Sequence, residues 1–210
     1  MNEPRRETAY RCRVSFLAIA LELIYVAVAI VSPFVANKRR TGTWAFRATP
    51  GVGRFIGALF FCGSVLVLFG PLFDLTGTLG RTSQIDDHVV QGLGVVLAVA
   101  ALPLVVAAQR QMGASWRVGL DPEERTELVT AGLFRVVRNP IYSGMVLLAF
   151  GIALMVPNAV SFAAAGDFLL AVELQVRTIE EPYLRRVHGS SYESYVARSG
   201  RFLPGIGRSL

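Results

Sequence analysis

Long apolar windows almost free of charge decide what this 210-residue chain can fold into. One runs from about Val14 to Ala36 and is interrupted only by Glu22. A second runs from Phe55 to Leu75, with Pro71 and Asp74 near its end. A third runs from Val89 to Ala108 and holds Pro103, a candidate kink. The fourth, Ile141 to Val156, and the fifth, Ala159 to Val176, are shorter; the fifth carries Asp167 and Glu173. Windows of about 17–25 apolar residues match the thickness of a bilayer. Lipid offers no partner to an open backbone group, so each window must close its hydrogen bonds as a helix. The pattern predicts an all-α membrane protein with about five transmembrane helices and a polar cap formed by the C-terminal half. Pro157-Asn158 reads as a tight turn, so the last two spans should form a helical hairpin.

The remaining composition narrows the function classes. The basic residues are 20 arginines and the single Lys38, with a net charge of +6. They lie scattered among loops and form no long stripe, so anionic lipid is the expected partner and nucleic acid is not. Cys12 and Cys62 make no CxxC pair, and Cys62 reads as a small packing residue within an apolar run. Two histidines, His88 in an expected loop and His188, give no metal-binding spacing, so no metal is expected. The first apolar run is too long for a signal-peptide core. Gly92, Gly94 and the small residues of the fifth span suit helix packing, within one chain or between two, and leave the oligomeric state open.

Arginine counting sets the expected orientation. With five crossings, 16 basic residues fall on the side of the C-terminus and five, Arg5, Arg6, Arg11, Arg13 and Arg81, on the other. That places the C-terminus in the cytoplasm, although the N-terminal arginines pull the other way. Between the third and fourth spans lies a polar stretch from Gln109 to Ala131. Trp116 is its expected interface anchor, and Asp121-Pro122-Glu123-Glu124 resembles a helix start. After the fifth span, a helix from Arg177 to Arg198 should leave the membrane, bent at Pro182 and broken at Gly189; Gly200 to Leu210 reads as coil. A division follows: residues 1–108 hold three transmembrane helices, and residues 109–210 hold the chemistry.

Two clusters at the membrane edge carry that chemistry. Arg138-Asn139-Pro140-Ile141-Tyr142 precedes an apolar helix, with Pro140 at its first turn and Asn139 as its cap. A helix start favours an anion, and Arg138 is placed to clamp one. Glu180 and Glu181 follow Arg177 by one turn, and adjacent carboxylates point about 100° apart on a helix, so two separate jobs are expected. One should pair with Arg177, which Glu173 can also reach. Taken alone, each cluster also fits an ordinary membrane-boundary turn or a surface ion pair. Glu22 and Asp167 are costly in lipid and imply a buried partner or a wet pocket.

In order, the chain shows Leu128-Val129-Thr130-x-Gly132, Arg138-Asn139-Pro140-x-Tyr142-x-Gly144, Glu180-Glu181-x-x-Leu184, Gly189-x-x-Tyr192-x-x-Tyr195 and Pro204. This ordered set resembles the signature of the isoprenylcysteine carboxyl methyltransferase and phospholipid methyltransferase superfamily, over about residues 109–204. Asn139 stands where the family usually has histidine, and His188 where an aromatic precedes the glycine. The resemblance implies a methyltransferase that uses S-adenosyl-L-methionine, bound at the cytosolic face of a multi-pass membrane protein; the arginine bias and compact size point to a bacterial inner membrane. It implies a lipid-like or isoprenoid acceptor entering from the bilayer, with a carboxylate favoured and an amine head group as the alternative. It implies that Leu128, Val129, Gly132, Phe134, Arg138, Asn139, Pro140, Tyr142 and Glu180 hold the cofactor. Arg177, Glu180 and Glu181 would be catalytic, with Arg177 orienting the acceptor. The rival class is a non-catalytic transporter or scaffold, for which the chain lacks the paired broken helices of two related halves.

Overall fold

A computed structural model describes residues 3–42, 51–113 and 127–208. The expectations for Trp116 and for a helix start at Asp121 lie outside them. The chain begins with α1 (Glu3–Tyr25), which passes through a π-helical turn (Val26–Val31) into α2 (Ser32–Thr41). Then come α3 (Val52–Leu75), α4 (His88–Met112), α5 (Pro140–Met155) and α6 (Ala159–Gln175). A second π-helical turn (Val176–Glu180) leads into α7 (Glu181–His188), and α8 (Ser190–Arg198) closes the helical part. Four helical runs are long and apolar enough to cross a membrane, and α5 is a shorter apolar helix. The all-helical expectation therefore holds, and α1–α2, α3, α4 and α6, with the shorter α5 packed among them, supply four to five candidate crossings.

Helix boundaries follow local chemistry. Asp87 caps α4, its carboxylate accepting from Val89 N at 2.8 Å. Asn158 caps α6 from the turn after Pro157, accepting from Ser161 N at 2.9 Å, while its amide donates to Gly70 O at 2.9 Å. His88, expected in a loop, is the first residue of α4, and its ring meets Tyr10 edge-on at 4.5 Å. The capping aspartate one residue earlier starts the helix there. The chain stays helical through Pro103, and through Pro71 in α3.

Small residues bring the helices together. Lipid tails are as apolar as leucine, so helices in a bilayer associate by close packing and not by expelling water. A Cβ on Gly94 of α4 would lie 2.6 Å from Gly151 O, and one on Gly151 of α5 would lie 2.7 Å from Ala98 N. A Cβ on Gly144 would lie 2.3 Å from Val105 Cγ2. α4 and α5 thus touch backbone to backbone. On α3, a Cβ on Gly70 would lie 3.2 Å from Ser161 Cα of α6, and one on Gly63 would meet the side chains of Asp167 and Phe168. Gly92 points into open space, so of the pair read from the sequence only Gly94 packs, and it packs within the chain. Cys62, expected as a packing residue, is exposed on the outer face, because the packed stripe of α3 runs through Gly63, Val67 and Gly70 instead. Phe16, Leu23, Phe61, Val89 and Val96 also face outward, as lipid-facing residues must.

The two ends of the bundle differ. At one end the start of α1, the α3–α4 loop and the α5–α6 turn meet. Arg81, its side chain 1% exposed, donates to both oxygens of Asp74, at 2.8 and 2.9 Å, and to Ser15 Oγ and Arg11 O, each at 3.1 Å. Asp86 joins Arg81 at 3.3 Å and Arg11 at 2.7 Å. The other end carries the α4–α5 connection and everything after α6, the region where the sequence motifs lie.

Two outcomes test this packing. Gly151→Val, measured by thermal unfolding in detergent, should cost at least the ~1–3 kcal/mol typical of overpacking, because its neighbours are backbone atoms. Arg81→Met should cost roughly 3–5 kcal/mol, the usual result of stranding buried charges, and adding Asp74→Asn should recover part of the loss.

Candidate active site at the cap

The cap is built where the C-terminal loop folds back on the start of α5. Val136 O accepts from Gly200 N at 2.9 Å, and Gly200 O from Arg138 N at 2.8 Å. This one-residue parallel bridge, Val137 to Gly200, is the only isolated β-bridge among the described residues. Asn139 N and Nδ2 both donate to Arg201 O, at 3.2 and 3.1 Å. Asn139 therefore sits at the cap position of α5 without capping it, because its amide faces the C-terminal loop. Ser143 Oγ donates to Phe202 O at 2.7 Å. The segment after Gly200, expected as surface coil, is hydrogen-bonded into the cap: Arg201 N donates to Ile206 O at 2.7 Å.

Arg138 is the post of this assembly. Its side chain is 2% exposed. Its guanidinium donates to Ser199 O, to Val196 O at 3.2 Å, to Gly207 O at 2.8 Å and to Glu181 Oε1 at 3.5 Å. Glu181 is also held in a fork by Arg201, Nε to Oε1 at 2.7 Å and Nη2 to Oε2 at 3.0 Å. Two arginines around one buried carboxylate leave no net unpaired anion, and the carbonyls take most of the remaining donors. Of the three guanidinium nitrogens of Arg138, Nε alone is buried without a partner among the described residues.

Glu180 has a different environment. Its Oε1 accepts from Tyr142 OH at 2.5 Å and from Gln175 Nε2 at 3.1 Å. Tyr142 in turn stacks on Phe60 of α3, ring centroids 6.1 Å apart. The two adjacent carboxylates do take separate jobs, one in the salt-bridged post and one facing the tyrosine. Arg177 pairs with neither; it donates to Glu173, four residues earlier, on the exposed outer face. The second π-helical turn sends Arg177 outward while Glu180 and Glu181 turn in.

The Leu-Val-Thr-x-Gly motif completes the cap. Leu128 packs against Tyr192, Tyr195 and Val196 of α8, and Val129 is half-buried beside it. Gly132 has φ 61° and opens a short 3₁₀ turn (Gly132–Arg135). Gln111 fills the space a side chain there would need, its Oε1 accepting from Leu133 N at 2.8 Å. Phe134 is buried, and its carbonyl accepts from Tyr195 OH at 2.7 Å. Burial pushes the phenols of Tyr192 and Tyr195 up to about 12, so Tyr195 keeps the proton it donates. Pro140 is buried at the first position of α5.

Of the residues singled out from the sequence, Arg138, Asn139, Pro140, Tyr142, Glu180 and Glu181 thus meet at one end of the bundle. Gly132 and Phe134 are joined to it through Gln111 and Tyr195, and Arg177 stands outside. Gln111, Ser143, Gln175 and Arg201 went unread in the sequence. Gln175 had one signal, an amide at the very end of an apolar span; the others become meaningful only when the C-terminal loop folds back.

Comparison with known proteins gives the family. A family model described as phospholipid methyltransferase matches residues 89–191, which begins with α4 and so extends the resemblance to that helix. Proteins named probable protein-S-isoprenylcysteine O-methyltransferase, from Oryza sativa subsp. indica and subsp. japonica, are each 33% identical over 140 residues, covering 66% of this chain and 73% of theirs. Protein-S-isoprenylcysteine O-methyltransferase B of Arabidopsis thaliana is 32% identical over 76 residues, covering 36% and 39%. The chain belongs to the isoprenylcysteine carboxyl methyltransferase and phospholipid methyltransferase superfamily. It is a multi-pass membrane methyltransferase, and the transporter and scaffold readings fall. Within the family's Arg-x-Pro motif, the arginine of this chain ties the cap together.

Glu181→Gln should show this. Leaving Arg138 and Arg201 without their anion should cost roughly 3–5 kcal/mol. Amide exchange should then rise first at residues 199–207, which Arg138 and Arg201 hold in place.

Proposed function

We propose that this protein transfers a methyl group from S-adenosyl-L-methionine to a hydrophobic, lipid-like or isoprenoid acceptor, with a carboxylate as the accepting group. The observation that carries the reading is Glu180, a carboxylate at the membrane edge with one oxygen engaged by Tyr142 and Gln175. Among the described residues no hydrogen bond is recorded to its Oε2, which leaves that oxygen to accept from a ligand. The surroundings fit the cofactor: a carboxylate for its ammonium or ribose hydroxyls, a helix start at Pro140, and a left-handed glycine at Gly132. Glu180, Tyr142, Asn139 and the backbone of Gly132–Phe134 would hold it, with Leu128, Val129 and Pro140 shaping the wall. Arg138 and Glu181 serve the same site through the cap they brace.

When bound, S-adenosylmethionine supplies a methyl group on a positively charged sulfur. The work left to the chain is to position, orient and exclude water. A carboxylate acceptor is already an anion at neutral pH and needs no base. Arg177 is 57% exposed and its pairing with Glu173 is a surface one, worth little, so it is available to guide an acceptor carboxylate from the lipid edge. The relatives named O-methyltransferases support the carboxylate. The phospholipid methyltransferase match supports an amine head group as the second reading, in which Glu180 is the base, since Glu181 is locked by two arginines.

The charge distribution supports a cytoplasmic cap. Of the 21 basic residues, 16 lie on the side of the cap and five on the other, and that excess is the signal for orientation. A bacterial inner membrane and the division at residue 108 belong to the same proposal.

Calorimetry on detergent-purified protein tests the cofactor. Saturable micromolar binding of S-adenosylmethionine, lost in Glu180→Ala, is the expected outcome; no binding by folded wild type with lipid present defeats the reading. Prenylcysteine-type carboxylates and phosphatidylethanolamine vesicles then compete as acceptors. Arg177→Ala should raise KM for the carboxylate acceptor and leave cofactor affinity unchanged.

A further inference from the structure

Gln175 and Glu180 are five residues apart. On an α-helix residues five apart point roughly 140° away from each other and cannot meet. Here they do meet, Nε2 to Oε1 at 3.1 Å. The reason is the π-helical turn Val176–Glu180 between them, in which Glu181 N donates to Val176 O, five residues back. A turn wide enough for i to i+5 bonding stacks i over i+5, and such turns inside α-helices concentrate at functional sites. The same wide turn sets Glu181 against Arg138 and Arg201 and leaves Arg177 outside.

We infer that Gln175 is a positioning residue, set over Glu180 by the π-helical turn Val176–Glu180 so that it orients the Glu180 carboxylate toward the cofactor. The inference rests on the cofactor reading above. Tyr142 and Gln175 approach the same oxygen from two elements, the hydroxyl from α5 and the amide from the end of α6. Two donors on Oε1 fix the plane of the carboxylate. A donor lost from one side frees the group to rotate, and a ligand must then pay for ordering it. Gln175 is half-buried, and its partner in this bond is charged, so the bond belongs to the stronger class. The role is separate from the post formed by Arg138, Glu181 and Arg201, since Gln175 is bonded to none of the three among the described residues.

Binding of S-adenosylmethionine by calorimetry, with melting in detergent alongside, tests this on the full chain. Gln175→Met keeps length and volume and removes the donor. It should melt as wild type and raise Kd roughly tenfold or more, the usual scale for one hydrogen bond to a charged group. In a Glu180→Gln background, itself weaker, Gln175→Met should add less than twofold, because the group it orients is gone. Gln175→Glu, which keeps shape and polarity but sets an acceptor against Glu180, should weaken binding at least as much and covers the case in which the methionine variant does not fold. Wild-type binding with an unchanged Kd in Gln175→Met overturns this inference alone. So does a loss of the same size in both backgrounds, which would mark a general packing role. No binding by the wild type overturns the cofactor reading and this inference with it.

Discussion

The backbone contact between α4 and α5 is what the rest of the molecule depends on. In lipid there is no hydrophobic drive between helices, so association rests on how closely two backbones can approach. Gly94, Gly144 and Gly151 remove the side chains that would hold α4 and α5 apart. The approach fixes where α5 begins, and with it Asn139, Pro140 and Tyr142. It also lets α5, only 16 residues long, end at Met155 within the bundle and turn through Pro157 and Asn158 into α6. α6 then returns along α3 to the same end of the bundle and delivers Gln175, Glu180 and Glu181 opposite the start of α5.

Charge is sorted at both ends by the same rule. A buried ion is tolerable when it has partners enough to replace its water. At one end Arg81 is enclosed by Asp74 and Asp86, which joins α1, the end of α3 and the α3–α4 loop. At the other, Glu181 is enclosed by Arg138 and Arg201, which joins α5, α7 and the C-terminal loop. Glu180 is the exception beside it. It has two neutral hydrogen-bond donors, Tyr142 and Gln175, and no bonded cation among the described residues. The contrast between two neighbouring carboxylates separates the brace, Glu181, from the group we propose as the cofactor contact, Glu180.

Much of this was legible in the residues. The apolar helices, the hairpin at Pro157-Asn158 and the break at Gly189 follow from hydropathy and turn chemistry, while the meeting of the Arg-x-Pro and Glu-Glu clusters was implied only by the resemblance of the motif set to the family. Residues whose role depends on a partner far along the chain were not legible. Cys62 and Gly63 are neighbours with equal apolar context, yet one faces outward and the other meets Asp167 and Phe168, because rotation about the helix axis is set by packing against α6. Asn139 has the sequence of a helix cap, but Arg201 O draws its amide away. Arg177 has two carboxylates within a turn on one side and Glu173 on the other, and the π-helical turn decides for Glu173.

By itself, the sequence determined that this chain must be a bundle of membrane-crossing helices with its methyltransferase motifs at one edge. Long uncharged windows have no other stable form in lipid, and the motif residues are ordered along the chain. The tertiary structure alone decided which of those residues are locked in salt bridges and which are held by neutral donors. A guanidinium or carboxylate acquires its role from the groups within about 3 Å of it, and for Arg138, Glu180 and Glu181 those groups come from segments that meet only once the bundle has closed.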